Sequence, residues 1–166
     1  EMRGRDQVAR VMQLAREYLP DDRQIALIDL PARVGIRESR HIDCGYTLTG
    51  DDLLSGARFP DAIANGTYPP DLHDPRDGST HLKYLDGREL RSSLHEKKWS
   101  RWKAEDEPAV EFYQIPFRSL VPLGVRNLVV AGRSIDADQW AFGGIRVMVN
   151  CNQTGEAAGI ACAIAC

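Results

Sequence analysis

Between residues 6 and 19 the apolar positions Val8, Val11, Met12, Ala15 and Leu19 fall on one stripe, with Arg10, Gln13, Arg16 and Glu17 outside it. That spacing predicts an amphipathic helix ended by Pro20. Residues 24–30 (QIALIDL) form a short apolar run and read as a buried strand. Residues 34–42 alternate less cleanly and carry Arg37, Glu38, Arg40 and His41. A strand there would put Arg37 and Arg40 on opposite faces. Thr49-Gly50-Asp51-Asp52 reads as a helix cap ahead of Leu53 and Leu54. Residues 59–66 read as a strand leading into the turn-rich stretch 67–79, with Pro69, Pro70, Pro75 and Gly78. No internal repeat is visible.

Residues 86–107 are the most polar part of the chain, with six basic and six acidic side chains around Trp99 and Trp102. They read as a solvated insertion, or else as a partner or substrate surface built on the tryptophans. Residues 112–117 should be extended, because a residue before proline avoids the helical region. Residues 127–131 (NLVVA) end at Gly132 and have the pattern of a buried parallel strand. Asp136 and Asp138 fall in what reads as a solvated loop. Gly143-Gly144 follow, and a long helix is predicted over residues 145–166. Its small residues Gly155, Ala157, Ala158, Gly159, Ala161 and Ala163 suit close packing on a sheet.

A helix N-terminus presents unpaired N–H groups and a partial positive charge, so it can hold an anion or stabilise charge developing on a ring. Gly143 and Gly144 would let backbone approach a flat ligand, although glycine turns also serve packing in buried α/β units.

The 166 residues carry 21 basic and 24 acidic side chains, for a net charge of −3. That balance argues against a nucleic-acid partner, which calls for a basic face. The longest apolar stretch, residues 157–166, is about half of the ~20 residues a membrane span needs. Cys44, Cys151, Cys162 and Cys166 contain no CxxC pair, and His41, His73, His81 and His95 lack ligand spacing, so no metal is expected. Cys162 and Cys166 read as small apolar packing residues. Cysteines without a disulfide framework point to a reducing, cytoplasmic compartment. The opening EMRGRD and the closing ACAIAC read as cuts within a longer chain, with any targeting segment elsewhere.

Residues 127–165, NLVVAGRSIDADQWAFGGIRVMVNCNQTGEAAGIACAIA, resemble the C-terminal flavin-binding stretch of the FAD-dependent oxidoreductase family. That stretch has a pattern close to NLLVAGR, a loop, G-x-IRVM, a cysteine and TGxAAGxAAA. The resemblance runs upstream through GIRESR (35–40), YTLT (46–49) and YQIPFR (113–118), so about residues 31–166 are covered.

The resemblance implies an α/β fold of the two-dinucleotide-binding type with mixed substrate-domain sheet and a long C-terminal helix. Residues 1–30 would belong to the split FAD and substrate domains, 31–118 to a substrate-like region with its insertion at 86–107, and 119–166 to the flavin-binding segment. Gly132, Arg133 and Ser134 would lie beside the pyrophosphate or ribityl part of FAD. Gly144, Ile145, Arg146 and Val147 would lie beside the isoalloxazine, with the helix end facing its N1–C2 carbonyl edge and raising its reduction potential. Arg37, Arg40, His41, Tyr113 and Arg118 are candidates for the substrate side. The flavin would accept hydride from a small organic substrate. No GxGxxG occurs anywhere in the sequence, so the ADP half of the cofactor site is missing. The chain then reads as the C-terminal portion of such an enzyme, dependent on the rest of the parent chain and inactive alone. A non-catalytic scaffold that has lost the cofactor is the alternative.

Overall fold

The stripe at residues 6–19 becomes helix α1 (Met2–Tyr18). In this computed structural model the described residues are 2–19, 25–32, 35–38 and 40–166, divided into the units Glu1–Arg37 and Glu38–Cys166. In the first unit Val8, Met12 and Ala15 are half-buried, while Val11 and Tyr18 are exposed. Arg16 Nε donates to Ile25 O at 3.4 Å and ties the following segment back to the helix. Pro20 and Gln24 lie outside the described residues. The buried strand expected at 24–30 does not form: residues 25–30 are irregular, and Ile28 is 97% exposed. A strand needs a neighbour for its N–H and C=O groups, and this segment has none among the described residues.

The segment around the boundary between the units is irregular. The described residues 35–38 and 40–43 form no strand, so the opposite-face argument for Arg37 and Arg40 lapses; Val34 and Ser39 lie outside the described residues. Helix α2 (Gly50–Ser55) has the expected cap, with Thr49 accepting from Asp52 N while the Asp52 side chain accepts from Thr49 N. Strand β1 (Ala62–Gly66) pairs antiparallel with β6 (Tyr113–Pro116), where extended backbone was expected before Pro116.

Between them, β2 (Asp71–His73), β3 (Thr80–Lys83), β4 (Arg88–Ser92) and β5 (Lys97–Arg101) form a four-stranded antiparallel meander. The polar segment 86–107 therefore contributes two strands to this sheet, and most of its residues are exposed. On β4 Glu89 is buried, while every residue of β5 is exposed. Trp102 Nε1 donates to Tyr84 O at 2.8 Å, and Trp99 stacks on Tyr84 at 5.8 Å.

Asp138 accepts from Ala141 N and starts helix α3 (Gln139–Ile145), and helix α4 (Met148–Ala165) follows after a two-residue break. The single helix expected over 145–166 thus starts later, and Gly143-Gly144 lie inside a separate helix instead of a loop. The strand expected at 127–131 is also absent. Asn127 and Leu128 are exposed, and only Val130 N makes a backbone bond to a neighbour, to Leu120 O at 2.9 Å. No parallel strand lies beside it among the described residues. Asp136 and Asp138 are not solvated: Asp136 is buried and accepts from Cys44 N at 2.8 Å, and Asp138 also accepts from Gly50 N at 3.0 Å. Cys162 and Cys166 are exposed, so their expected packing role fails; no described residue covers that side of α4. Among the described residues no helix is long and apolar enough to cross a membrane.

The core gathers Leu48, Leu53, Ile115, Leu120, Phe142 and Ile145 around Tyr113. The Tyr113 hydroxyl lies within 3.1 Å of Tyr68 O, Gly144 O and Asn150 Nδ2, joining β6, α3 and α4. Burial pushes its phenol well above the usual range, so it remains protonated.

Tyr113→Phe should destabilise the protein by about 1–3 kcal/mol, because it leaves buried polar groups short of a partner; urea unfolding measures this. Glu89 should contribute to the acid sensitivity of the sheet. Burial raises its carboxyl, but hydrogen bonds and charge from His81, Ser100 and Arg91 outweigh this and lower it overall. A lowered folded-state value means stabilisation that is present above the unfolded-state pKa and lost as pH falls through the folded one. Glu89→Gln should flatten the loss of stability as pH falls below about 5, read from urea midpoints.

Candidate functional site

The break between α3 and α4 has a local cause. Gly144 O, which would accept from residue 148 in a continuous helix, is instead taken by the Tyr113 hydroxyl and by Asn150 Nδ2, both at 3.1 Å. Arg146 is the last residue with helical backbone, Val147 turns extended (φ −70°, ψ 152°), and α4 restarts at Met148. Val147 provides no side-chain cap. The first backbone bond of α4 runs from Cys151 N to Val147 O, so the N–H groups of Met148, Val149 and Asn150 have no acceptor among the described residues. Met148 is 83% and Val149 67% exposed. An open set of donors at the positive end of an 18-residue helix is an anion-accepting surface.

Residues Gly132–Ser134 form a short 3₁₀ turn beside the first turns of α4. Gly132 holds φ +62°, a conformation that favours glycine. Its N–H donates to Thr154 Oγ1 at 3.0 Å, and Cys151 Sγ lies 3.8 Å from where a Cβ would stand. Arg133 and Ser134 are exposed. The two segments singled out in the sequence, 132–134 and 144–147, thus meet at one helix end.

His41 borders both. Its Nδ1 bonds to Ile135 O at 3.1 Å and its ring meets Phe142 edge-on at 4.5 Å, while Ile42 N donates to Ser134 O at 3.2 Å. The Arg146 side chain points into the protein. Its Nη2 donates to Asp71 O at 3.1 Å and lies 3.5 Å from Asp71 Oδ2, and its Nη1 is 3.9 Å from Glu38 Oε2. Glu38 Oε1 is 3.7 Å from His41 Nε2.

Tyr113 and Arg118 serve the packing around this end. Tyr113 is wholly buried in the node above it. Arg118 is clamped by Asp61 at 2.8 Å and lies over the rings of Tyr46 and Phe59. Arg40 is exposed, and Arg37, also exposed, belongs to the first unit. Gly143 and Gly144 meet protein: a Cβ on Gly143 would come within 2.6 Å of Asp71 O, and one on Gly144 within 2.6 Å of Leu53 Cδ2. Glu38, Asp71, Asn150 and Thr154 were missed. Asn150 and Thr154, four apart in an apolar run, did carry a signal, since polar side chains on a packed helix face need partners.

Cys151 tests the electrostatics here. Burial raises its thiol, and nearby Arg133 partly offsets this. Exposed Cys162 and Cys166 should be alkylated by iodoacetamide first, with Cys151 slower and buried Cys44 last. Arg133→Met should slow Cys151 further, because the cation that favours its thiolate is gone, as read by mass spectrometry of timed quenches.

The model of the FAD dependent oxidoreductases matches residues 1–166, the whole chain. No curated protein and no solved structure matches it. With a family match over its full length, and a 127–165 stretch folded around one open helix end, the chain belongs to the FAD dependent oxidoreductase family, a flavin oxidoreductase family whose cofactor is FAD.

Proposed function

We propose that the N-terminus of α4 receives the N1–C2 carbonyl edge of the isoalloxazine and that the Gly132–Ser134 turn borders the ribityl or pyrophosphate part, in an enzyme oxidising a small organic substrate. The observation that carries this is the set of backbone N–H groups of Met148, Val149 and Asn150 with no acceptor among the described residues, on an exposed first turn. These residues fit the cofactor's flavin half: the donors suit a carbonyl edge, and Gly132 keeps side-chain bulk away from the approach. FAD, when bound, supplies the hydride acceptor.

The chain's part is to orient and to supply charge. The helix end favours negative charge at the ring edge, and Arg133 adds an exposed positive charge. Ile145 is buried, and Val147 shapes the break that aims the helix. Arg146 serves by holding Asp71 and Glu38 in place, with its charge already balanced by them. Among the substrate candidates His41 borders this helix end, whereas Tyr113 and Arg118 support the architecture around it.

No residues here fit the ADP half, since no GxGxxG is present. In this reading a segment outside the sequence supplies it, and residues 1–166 alone do not turn over. An apolar groove of about 510 Å³ beside α4, lined by Ile63, Phe117, Ile160 and Ile164, supports a covering segment from the rest of the parent chain.

The test is the absorption spectrum of the parent protein with Met148→Pro and Gly132→Val variants. Proline is tolerated at the first helical position and removes one N–H, and Val147 already has the extended backbone a following proline requires. Met148→Pro should keep its helical circular dichroism and flavin bands but show a more negative reduction potential, by the roughly 1.5–3 kcal/mol of a hydrogen bond to a charged acceptor. Gly132→Val should lose the bands. Gly144 is a poor probe, because its substitution collides with Leu53. A colourless parent that binds no FAD would leave the scaffold reading.

A further inference from the structure

The outer strand of the meander is open along one side. β5 pairs with β4 alone, so its second edge has no neighbouring strand among the described residues. Antiparallel pairs alternate between bonded and unbonded, and the bonds from Trp102 N to Gly87 O (3.0 Å) and from Ser93 N to Glu96 O (2.8 Å) set the phase. In that phase Glu89 with Ser100 and Arg91 with Lys98 exchange backbone bonds, and Lys97, Trp99 and Arg101 turn their N–H and C=O groups outward. These groups have no partner among the described residues. An exposed edge of this kind accepts a further strand.

The charge on this edge is one-sided. β5 reads KKWSR, three basic residues and no acidic one, all of them exposed. Lys97 and Lys98 make no ion pair among the described residues. The Arg101 guanidinium donates to the carbonyls of Lys103, Asp86 and Ala104 at 3.1, 3.1 and 3.3 Å, which fix it without neutralising it. Asp86 is paired with Arg88, Glu89 with His81 and Arg91, and Glu107 with Lys103. The remaining acids of the segment, Glu96, Glu105 and Asp106, lie beyond the ends of the strand. Between Lys97 and Arg101, and on their face, stands Trp99, 55% exposed. Its ring is held in place by the stack on Tyr84 at 5.8 Å, with the Arg88 guanidinium 5.9 Å from its centre.

Each feature narrows the occupant. A nucleic-acid backbone can accept from the outward N–H groups, but its phosphates offer nothing to the outward carbonyls, and one face of Trp99 is already covered by Tyr84. A second copy in an antiparallel pair would bring Lys97 against Arg101, and like charges directly opposite destabilise a sheet. Lysines on edge strands ordinarily prevent that pairing. An acidic peptide strand satisfies donors, acceptors and charge together. We propose that β5 docks an extended segment of another protein in which two acids, each one residue removed, flank an aromatic or β-branched residue. The central side chain packs on Trp99 and the acids face Lys97 and Arg101, since side chains two apart share a face. This surface is independent of the flavin reading.

The experiment uses the parent protein and a dye-labelled seven-residue peptide, capped at both ends. The peptide has glutamate at its second and sixth positions, phenylalanine at its fourth and threonine elsewhere. Fluorescence anisotropy should rise saturably, with half-saturation at or below about 1 mM. Lys97→Glu, facing the acids, should weaken binding about tenfold, and Lys98→Glu, the same change on the opposite face, by less than about threefold. N-methylation at the fourth peptide position, whose N–H faces β5, should abolish binding. Methylation at the fifth, whose N–H faces away, should leave affinity within about twofold. The methylated peptides need no change in the protein, so they decide the question even where a variant misfolds. No binding at about 5 mM peptide overturns the proposal. Equal losses in the two variants, or equal effects of the two methylations, mean attraction without strand pairing and overturn it as well. Tighter binding of a twelve-nucleotide oligouridylate than of the peptide assigns the surface to nucleic acid instead. Protection of the Trp99 amide from deuterium exchange in the parent without peptide shows the edge already covered, which also overturns the proposal.

Discussion

How closely α3 can lie against its neighbours is the constraint on which the second unit depends. Gly143 meets the backbone of Asp71 and Gly144 meets Leu53 and the Tyr113 hydroxyl, at distances that leave no room for a Cβ. Because the helix sits this deep, Gly144 O reaches the Tyr113 hydroxyl and the Asn150 amide. That diverts the carbonyl from the helical ladder, and α3 ends within three residues. The open N-terminus of α4 is thus a consequence of interior packing. Glycine is used here for close approach, at the helix-propensity cost that two glycines carry, about 1 kcal/mol each.

The same closeness sets the charges. With Gly143 against β2, Asp71 is within reach of Arg146, whose side chain is drawn inward between Asp71 and Glu38. A guanidinium paired with two carboxylates adds little net positive potential outside. The positive character of the helix end therefore comes mainly from unpaired peptide N–H groups, which are fixed in direction and need no rearrangement when charge appears. Exposed Arg133 is the adjustable part, and its influence already reaches the thiol of Cys151.

Local signals in the sequence were legible wherever a short stretch decides its own structure. The cap at Thr49, the helix at residues 6–19 and the extended backbone before Pro116 all follow from side chains acting on their own backbone. The meeting of 132–134 with the GIRV stretch was legible through a resemblance. Failures came where structure depends on a distant partner. Residues 24–30 and 127–131 have strand composition but no strand beside them among the described residues. Residues 86–107 have a solvated composition and are mostly exposed, yet they pair into the meander, with Glu89 and Leu90 of β4 covered and all of β5 facing water. Asp136 and Asp138 look like loop acids and instead hold backbone N–H groups that arrive from some ninety residues away. No reading of neighbours along the chain contains that partner.

Strand β2 joins the helix end to the meander. At its start Asp71 binds Arg146 through both its carbonyl and its carboxylate; at its end His73 lines an open cleft. The strand is only three residues long and pairs on one edge with β3, so its position depends as much on α3 as on the sheet. A side chain added at Gly143 would press on the Asp71 backbone and displace the Arg146 anchor and the cleft wall together. The seating of β2 against α3 therefore rests on this one glycine contact.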